Sequence, residues 1–148
     1  MIGSKGVCVG AIIRDEQGRV FVQRRSATRR VFPGVWDIVG GHVEPNESIE
    51  AALEREIHEE TGWQLRHIVA LVAEWEWEHN GVARRELDYL VEVKGDLASP
   101  RLEPLEHDAY AWIGVDNLER LAGWGSEMNA RLRAVVIRSI SAPAGQDR

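Results

Sequence analysis

Cysteine is almost missing from this chain: of 148 residues only Cys8 is one, and it sits inside the apolar run Val7-Cys8-Val9-Gly10-Ala11-Ile12-Ile13. A disulfide framework is therefore excluded, and stability has to come from a packed core. Long apolar stretches are missing as well. No run approaches the length needed to cross a bilayer, neither a signal peptide nor a spanning segment is read, and the cytoplasm is the expected compartment. An excess of basic charge is also lacking: 18 Lys and Arg face 24 Asp and Glu, for a formal charge of −6. General binding to duplex nucleic acid needs a basic face, so that class of partner is set aside. Repeats and low-complexity tracts are absent. What is present is 44% apolar residues over 148, enough for one core. The expectation is a single domain over 1–140 and a loose polar tail over 141–148.

The most informative stretch is Glu54-Arg55-Glu56-Ile57-His58-Glu59-Glu60-Thr61-Gly62. Ser48 is a helix N-cap residue, Glu50 adds favourable charge to the first turn, and Gly62 is a C-terminal stop. That places Glu56, Glu59 and Glu60 in the last turn, where the helix dipole disfavours carboxylates. With about 100° per residue, the three lie within an arc of about 100°, on the azimuth of Ile49, Ala52 and Leu53. Glu50, Glu54 and His58 point elsewhere. One stripe thus starts as core and ends as a carboxylate cluster, which suits a helix whose tip lines a cleft. Acidic pairs at helix ends also occur on solvated surfaces. A hard divalent cation, Mg2+ or Mn2+, is the simplest compensating charge in the functional reading.

The rest of the chain reads as mixed α/β. Strands are expected over Val7 to Arg14, Arg19 to Arg24, Trp36 to Val39, Gln64 to Glu78, Arg84 to Val93 and Ala109 to Ile113. Asn80-Gly81 is a hairpin turn signal. Asp116 and Glu119 suggest the cap of a short helix, and Ser126 opens a last helix reaching Ile140, with Leu132, Val135 and Val136 inward.

Read as spacing, Gly41-x5-Glu47-x7-Arg55-Glu56-Ile57-His58-Glu59-Glu60-Thr61-Gly62-Trp63 resembles the Nudix box, with every fixed position present. Trp63 is the one soft departure, where the family more often has a smaller aliphatic residue. The resemblance implies an α/β fold, the Nudix α/β/α sandwich with a central mixed sheet. It also implies a hydrolase of nucleoside diphosphates linked to another group, working with Mg2+ or Mn2+. Glu56, Glu59 and Glu60 would be metal ligands, with the Gly40 carbonyl a further one. Arg55 would orient a glutamate of the loop–helix unit and Glu47 would hold that unit together. Cations bound there would explain how an acidic protein receives a polyanion.

In this family the loop before the last strand often supplies a base or an extra ligand. Here it is Glu103-Pro104-Leu105-Glu106-His107-Asp108, so Glu106 is read as base or ligand and His107, with an ordinary pKa near neutrality, as a proton carrier. Glu56 is the rival base. Arg24-Arg25 and Arg29-Arg30 are the concentrated positive charge near the expected cleft, and Arg24, Arg25 and Trp36 are assigned to substrate. Trp75 and Trp77 share one strand face, as base-stacking platform or as core. Leu71 to Glu78 lacks the proline of the ADP-ribose branch, Tyr89 comes late for the dinucleoside-polyphosphate branch, and no coenzyme A signature precedes the box. Phe32-Pro33-Gly34-Val35-Trp36-Asp37 also resembles a segment of isopentenyl diphosphate isomerase, a Nudix-fold relative that needs a reactive cysteine for which Cys8 is poorly placed. What remains is a MutT-like enzyme acting on a nucleoside triphosphate or sugar nucleotide, a small-molecule substrate with no membrane partner. A Nudix-fold nucleotide sensor without catalysis is the alternative from another class, and a homodimer is left open.

Overall fold

The computed structural model describes residues 6–30, 32–124 and 127–143. The expected cap Ser126 and residues 144–148 of the expected tail lie outside the described residues. Seven strands and two helices follow in the order β1 (Val7–Ile13), β2 (Val20–Arg25), β3 (Trp36–Asp37), β4 (Val39–His42), α1 (Ile49–Thr61), β5 (Gln64–His79), β6 (Val82–Lys94), β7 (His107–Ile113) and α2 (Glu127–Ser141). A 3-10 turn over Leu118–Trp124 precedes α2.

The period-2 pattern of the first strands decides the layering. On β1, Val9, Ala11 and Ile13 join Ala52, Leu53 and Ile57 of α1 in one cluster, while Ile12 faces Leu132, Val135 and Val136 of α2 in the other. β2 divides likewise, Phe21 toward α1 and Val20 and Val22 toward α2. A strand buried on both faces reads as a continuous apolar run, as β1 does. Two sheets form the middle layer. One is mixed, in the order β4-β1-β6-β5 with β1 parallel to β6; the other is antiparallel, in the order β3-β2-β7. This is the expected α/β/α sandwich. The stretch expected as one strand over Trp36 to Val39 is two, because the chain changes sheets at Ile38: Trp36 pairs with Arg24 of β2, and Val39 with Ala11 of β1.

The local signals behave as their chemistry requires. Ser48 Oγ accepts from Ala51 N at 3.0 Å, and Gly62, at φ 81°, donates its N–H to the His58 carbonyl. Asn80 and Gly81 both have positive φ, which closes the long β5–β6 hairpin. The turn near Asp116 differs from expectation. It is 3-10 rather than α, and the side chain fixing it is Asn117, whose Oδ1 accepts from Gly114 N and whose Nδ2 donates to the Trp112 carbonyl. Trp63, the unusual residue of the motif, is buried edge-on to Phe21 at 5.0 Å, and its Nε1–H donates to the Asp96 carbonyl. Among the described residues no helix is long and apolar enough to cross a membrane.

Because α1 is held by its apolar stripe, Leu53→Ala should lower unfolding free energy by about 2–5 kcal/mol, whereas exposed Glu54→Ala should stay within about 0.5 kcal/mol. Urea titrations of the three proteins by circular dichroism test the pair.

Candidate functional site

The last turn of α1 stands against the β4 strand and the loop after it, and one guanidinium organises both. Arg55 donates from Nε and Nη2 to the two oxygens of Glu47, at 2.7 and 2.9 Å, and from Nη2 to the His42 carbonyl at 3.0 Å. Its Nη1 reaches Glu56 at 3.1 Å and Glu59 at 3.3 Å. Glu47 in turn accepts from Glu44 N at 2.9 Å, closing the loop. The fork explains the charges: the bonds from Arg55 hold Glu47 down to a pKa of about 2, and Glu47 raises Arg55 further above its ordinary range. Gly41 leaves room for the Glu56 carboxyl in this arrangement, since a Cβ there would stand 2.1 Å from Glu56 Oε2.

Glu60 turns inward and is 9% exposed. Gln23 Nε2 donates to it at 2.6 Å, and the Gly40 N–H donates to it as well. Burial, then a hydrogen bond and repulsion from the Glu56 carboxyl, push its pKa well above the usual carboxylate range. Gly40 can serve this site because of strand register. Val43 N bonds to Val7 O, so the Gly10–Gly40 pair is a non-hydrogen-bonded one and Gly40 turns its N–H and its carbonyl away from β1.

Among the described residues no three His, Cys, Asp or Glu side chains converge closely enough to form a preassembled metal cage. Glu56 and Glu59 are drawn to Arg55, and Glu59 is largely exposed. The donor chemistry nevertheless fits a hard divalent cation. The donors are oxygens, two of the carboxyls touch in a half-buried setting, and their mutual repulsion is what a cation would lift. Glu59 would have to leave Arg55 to join them.

Gly40, Arg55, Glu56 and Glu60 line a cleft of about 430 Å3, which Glu59 does not line, and Arg25, Arg29, Glu106 and His107 line it as well. A register shift between Arg24 and Arg25, opposite the start of β7, separates the two neighbouring arginines. Arg25 faces the cleft. Arg24 does not line it; its Nε pairs with Asp108 at 2.7 Å and its guanidinium lies over Trp36 at 5.9 Å. Trp36 packs against the α2-side core and is likewise outside the cleft lining, so both of these substrate assignments change. Arg29 lines the cleft where Arg24 does not, with Nη1 3.2 Å from Glu106 Oε1. Burial, then the neighbouring Arg29, lowers the pKa of Arg25, as expected of cations crowded together.

His107 departs from the expected proton carrier. It is 4% exposed, and burial followed by Arg29 and Arg25 pushes its pKa down to about 4, so it is neutral at pH 7. Its Nδ1 is buried and meets no partner. Cys8 does touch the cleft wall, with Sγ 3.4 Å from His42 Nδ1, but burial pushes its thiol up to about 11. A thiol in that state is not the reactive group an isomerase requires.

Several residues in or behind the cleft carried a signal in the sequence that charge alone does not decode. Gln23 is an amide in the apolar strand Val20-Phe21-Val22, at a position that must be buried. Glu86 and Asp88 lie two apart on one face of β6, a face covered by α2 rather than solvent. Asp37 follows Trp36 at the crossing between sheets.

Comparison with known proteins agrees with this architecture. A family model described as NUDIX domain matches residues 4–132. A protein named nucleoside triphosphatase NudI from Klebsiella pneumoniae (strain 342) is 33% identical, the match covering 82% of this chain and 88% of that protein. Its namesake from Escherichia coli (strain K12) is 34% identical, covering 70% and 79%. Among solved structures, a MutT Nudix hydrolase from Burkholderia pseudomallei superposes with a TM-score of 0.70 at 29% identity, over 89% of this chain and 95% of that one. A MutT protein from Methanosarcina mazei Go1 gives 0.69 at 28% identity, over 90% and 91%.

The buried imidazole has a measurable consequence. His107 binds its proton at about pH 4 when folded but near 6.5 when unfolded, so the unfolded chain holds more protons between those values. Its contribution to stability is therefore complete above about pH 6.5 and is lost as pH falls toward 4. In NMR titration the His107 ring should remain neutral at pH 5.5; a midpoint near 6.5 would contradict its burial.

Proposed function

Because this chain belongs to the Nudix family of pyrophosphohydrolases, we propose that it hydrolyses a phosphoanhydride bond of a nucleoside triphosphate, with Glu56, Glu59, Glu60 and the Gly40 carbonyl holding a divalent cation, Mg2+ or Mn2+. The observation that carries this reading is one cleft lined both by the contacting Glu56 and Glu60 carboxyls and by Arg25 and Arg29. A triphosphate is the choice over a sugar nucleotide because the relatives at 33% and 34% identity bear the name nucleoside triphosphatase. Cytoplasm, where such nucleotides are made and used, is the compartment this reading implies.

When bound, a divalent cation would neutralise phosphate charge and lower the pKa of a water molecule. The chain does the rest. Arg25 and Arg29 meet phosphate oxygens, and an anion between them relieves their mutual repulsion. Arg55, fixed by Glu47, holds the loop against the helix tip so that Glu56 and the Gly40 carbonyl keep their places. Two carboxylates are positioned to take the proton of the attacking water: Glu106, half-exposed beside Arg29, and Glu56. His107 anchors the loop instead of shuttling protons, since a neutral buried ring with a pKa near 4 is a poor acceptor at pH 7. The sensor alternative is disfavoured by the full set of box carboxylates.

With Mg2+ or Mn2+, pyrophosphate or phosphate release from at least one common nucleoside triphosphate is expected. Glu60→Gln should reduce kcat by about a hundredfold or more, and Arg29→Ala should raise KM. A folded wild-type protein that turns over none of them would favour the sensor; a fully active Glu60→Gln would remove the metal assignment.

A further inference from the structure

One group of acidic side chains in and behind the cleft, partly to fully buried, has no part in the chemistry just described. Asp37 and Glu86 line the cleft together with Trp77, and the same three side chains border a small crevice of about 40 Å3 that runs under α2. Asp88 lies at the bottom of that crevice, 1% exposed. Trp75 Nε1–H donates to Asp88 Oδ2 at 2.5 Å, whereas Oδ1 is buried and meets no donor. Room for that oxygen exists only because residue 10 is glycine: a Cβ there would stand 2.2 Å from Asp88 Oδ1 and 2.6 Å from Ile38 Cδ1.

We propose that Asp37 and Glu86, backed by Asp88, determine base specificity: their carboxyl groups hydrogen-bond the polar edge of the substrate's nucleobase while its ring lies against Trp77. This rests on the reading of the chain as a nucleotide pyrophosphohydrolase and adds where the base goes and what recognises it.

Three independent features point the same way. First, the carboxyls of Glu86 and Asp88 lie within hydrogen-bonding reach of one another, and two carboxyls in contact in a buried place hold a proton between them. Burial and then Asp88 push Glu86 up to about 9, and burial and then Glu86 push Asp37 up to about 7. With its proton held toward Asp88, Glu86 turns an acceptor oxygen to the cleft, and Asp37, when protonated, adds an O–H donor beside it. That pair matches a heterocycle edge on which a ring nitrogen acceptor neighbours an amino group, or a ring N–H neighbours a carbonyl. Second, the surroundings are aromatic. Trp77 meets Phe32 edge-on at 6.2 Å, and Phe32 holds φ at 50°, a backbone conformation unusual for an aromatic residue and typical of functional segments. Third, the cleft is polarised. Phosphates are drawn to Arg25 and Arg29, whereas the carboxyls at this end offer hydrogen bonds and no counter-charge, so a nucleotide has one orientation in which both ends are satisfied.

The experiment compares kcat/KM for the four common ribonucleoside triphosphates and for inorganic triphosphate, which has no base. It uses the wild type, Glu86→Ala, Glu86→Gln and Asp37→Asn. The wild type should prefer one or two bases by at least tenfold. Glu86→Ala should flatten that preference to within about threefold, acting mainly on KM, with inorganic triphosphate little affected. Glu86→Gln, a permanently neutral mimic of the protonated acid, should keep most of the preference, and Asp37→Asn likewise. Calorimetric titration with a non-hydrolysable analogue of the preferred nucleotide, in chelator, should show the same loss for Glu86→Ala. An unchanged spread in Glu86→Ala, a flat wild type, or a Glu86→Gln protein as unselective as the Ala variant would each overturn the proposal. Absence of turnover on every triphosphate would instead sink the hydrolase reading, and calorimetry would still report on the base.

Discussion

The guanidinium of Arg55 meets two oxygens of Glu47, the carbonyl at the end of β4 and two carboxylates of its own helix turn. Among the described residues no backbone hydrogen bond joins the loop after β4 to the helix tip, so the fork is what ties the two into one body. A bidentate arginine–carboxylate pair is directional as well as charged, and it fixes angle along with distance. The acids gathered there would otherwise repel one another at the end of a helix dipole that already disfavours them. Arg55 supplies local compensation while leaving the Glu56 and Glu60 oxygens toward the cleft. Site geometry and local stability thus depend on the same five hydrogen bonds.

Packing gives this unit its fixed position. The apolar half of the α1 stripe is sealed against Val9, Ala11 and Ile13, and the helix ends at Gly62 immediately before buried Trp63. Rotation of α1 would expose Leu53 and Ile57 to water, so the azimuth of the carboxylates is set by core burial one and two turns earlier. The basic part of the lining is built by another device. A bulge in the β2–β7 pairing separates Arg24 from Arg25, sending one guanidinium to Asp108 on the surface and the other into the cleft.

The fold and the acidic helix tip were legible in the sequence because each depends on short-range periodicity and on caps. Ser48, Gly62 and Asn80-Gly81 do in the structure what their residue types prescribe. The basic wall was legible only in outline. Arg24 and Arg25 are neighbours in sequence, and which one turns inward is decided by a bulge against a strand more than eighty residues later. His107 reads as an ordinary histidine until tertiary contacts bury it beside two arginines. Glu86 and Asp88 look like the solvated side of an alternating strand; that face is covered by α2, whose approach is a long-range fact. Periodicity reports which residues share a face and is silent about what covers it.

The crossing at Ile38 ties these parts together. Between Asp37 in one sheet and Gly40 in the other runs extended chain, about 10 Å over three residues, comparable to the reach of a nucleoside from base edge to first phosphorus. On the proposed reading, this short stretch sets the separation between the base site and the metal site. Under the same proposal, side chains tune which heterocycle is admitted while backbone sets its spacing from the anhydride, and lengthening that stretch by one residue would misalign both ends at once.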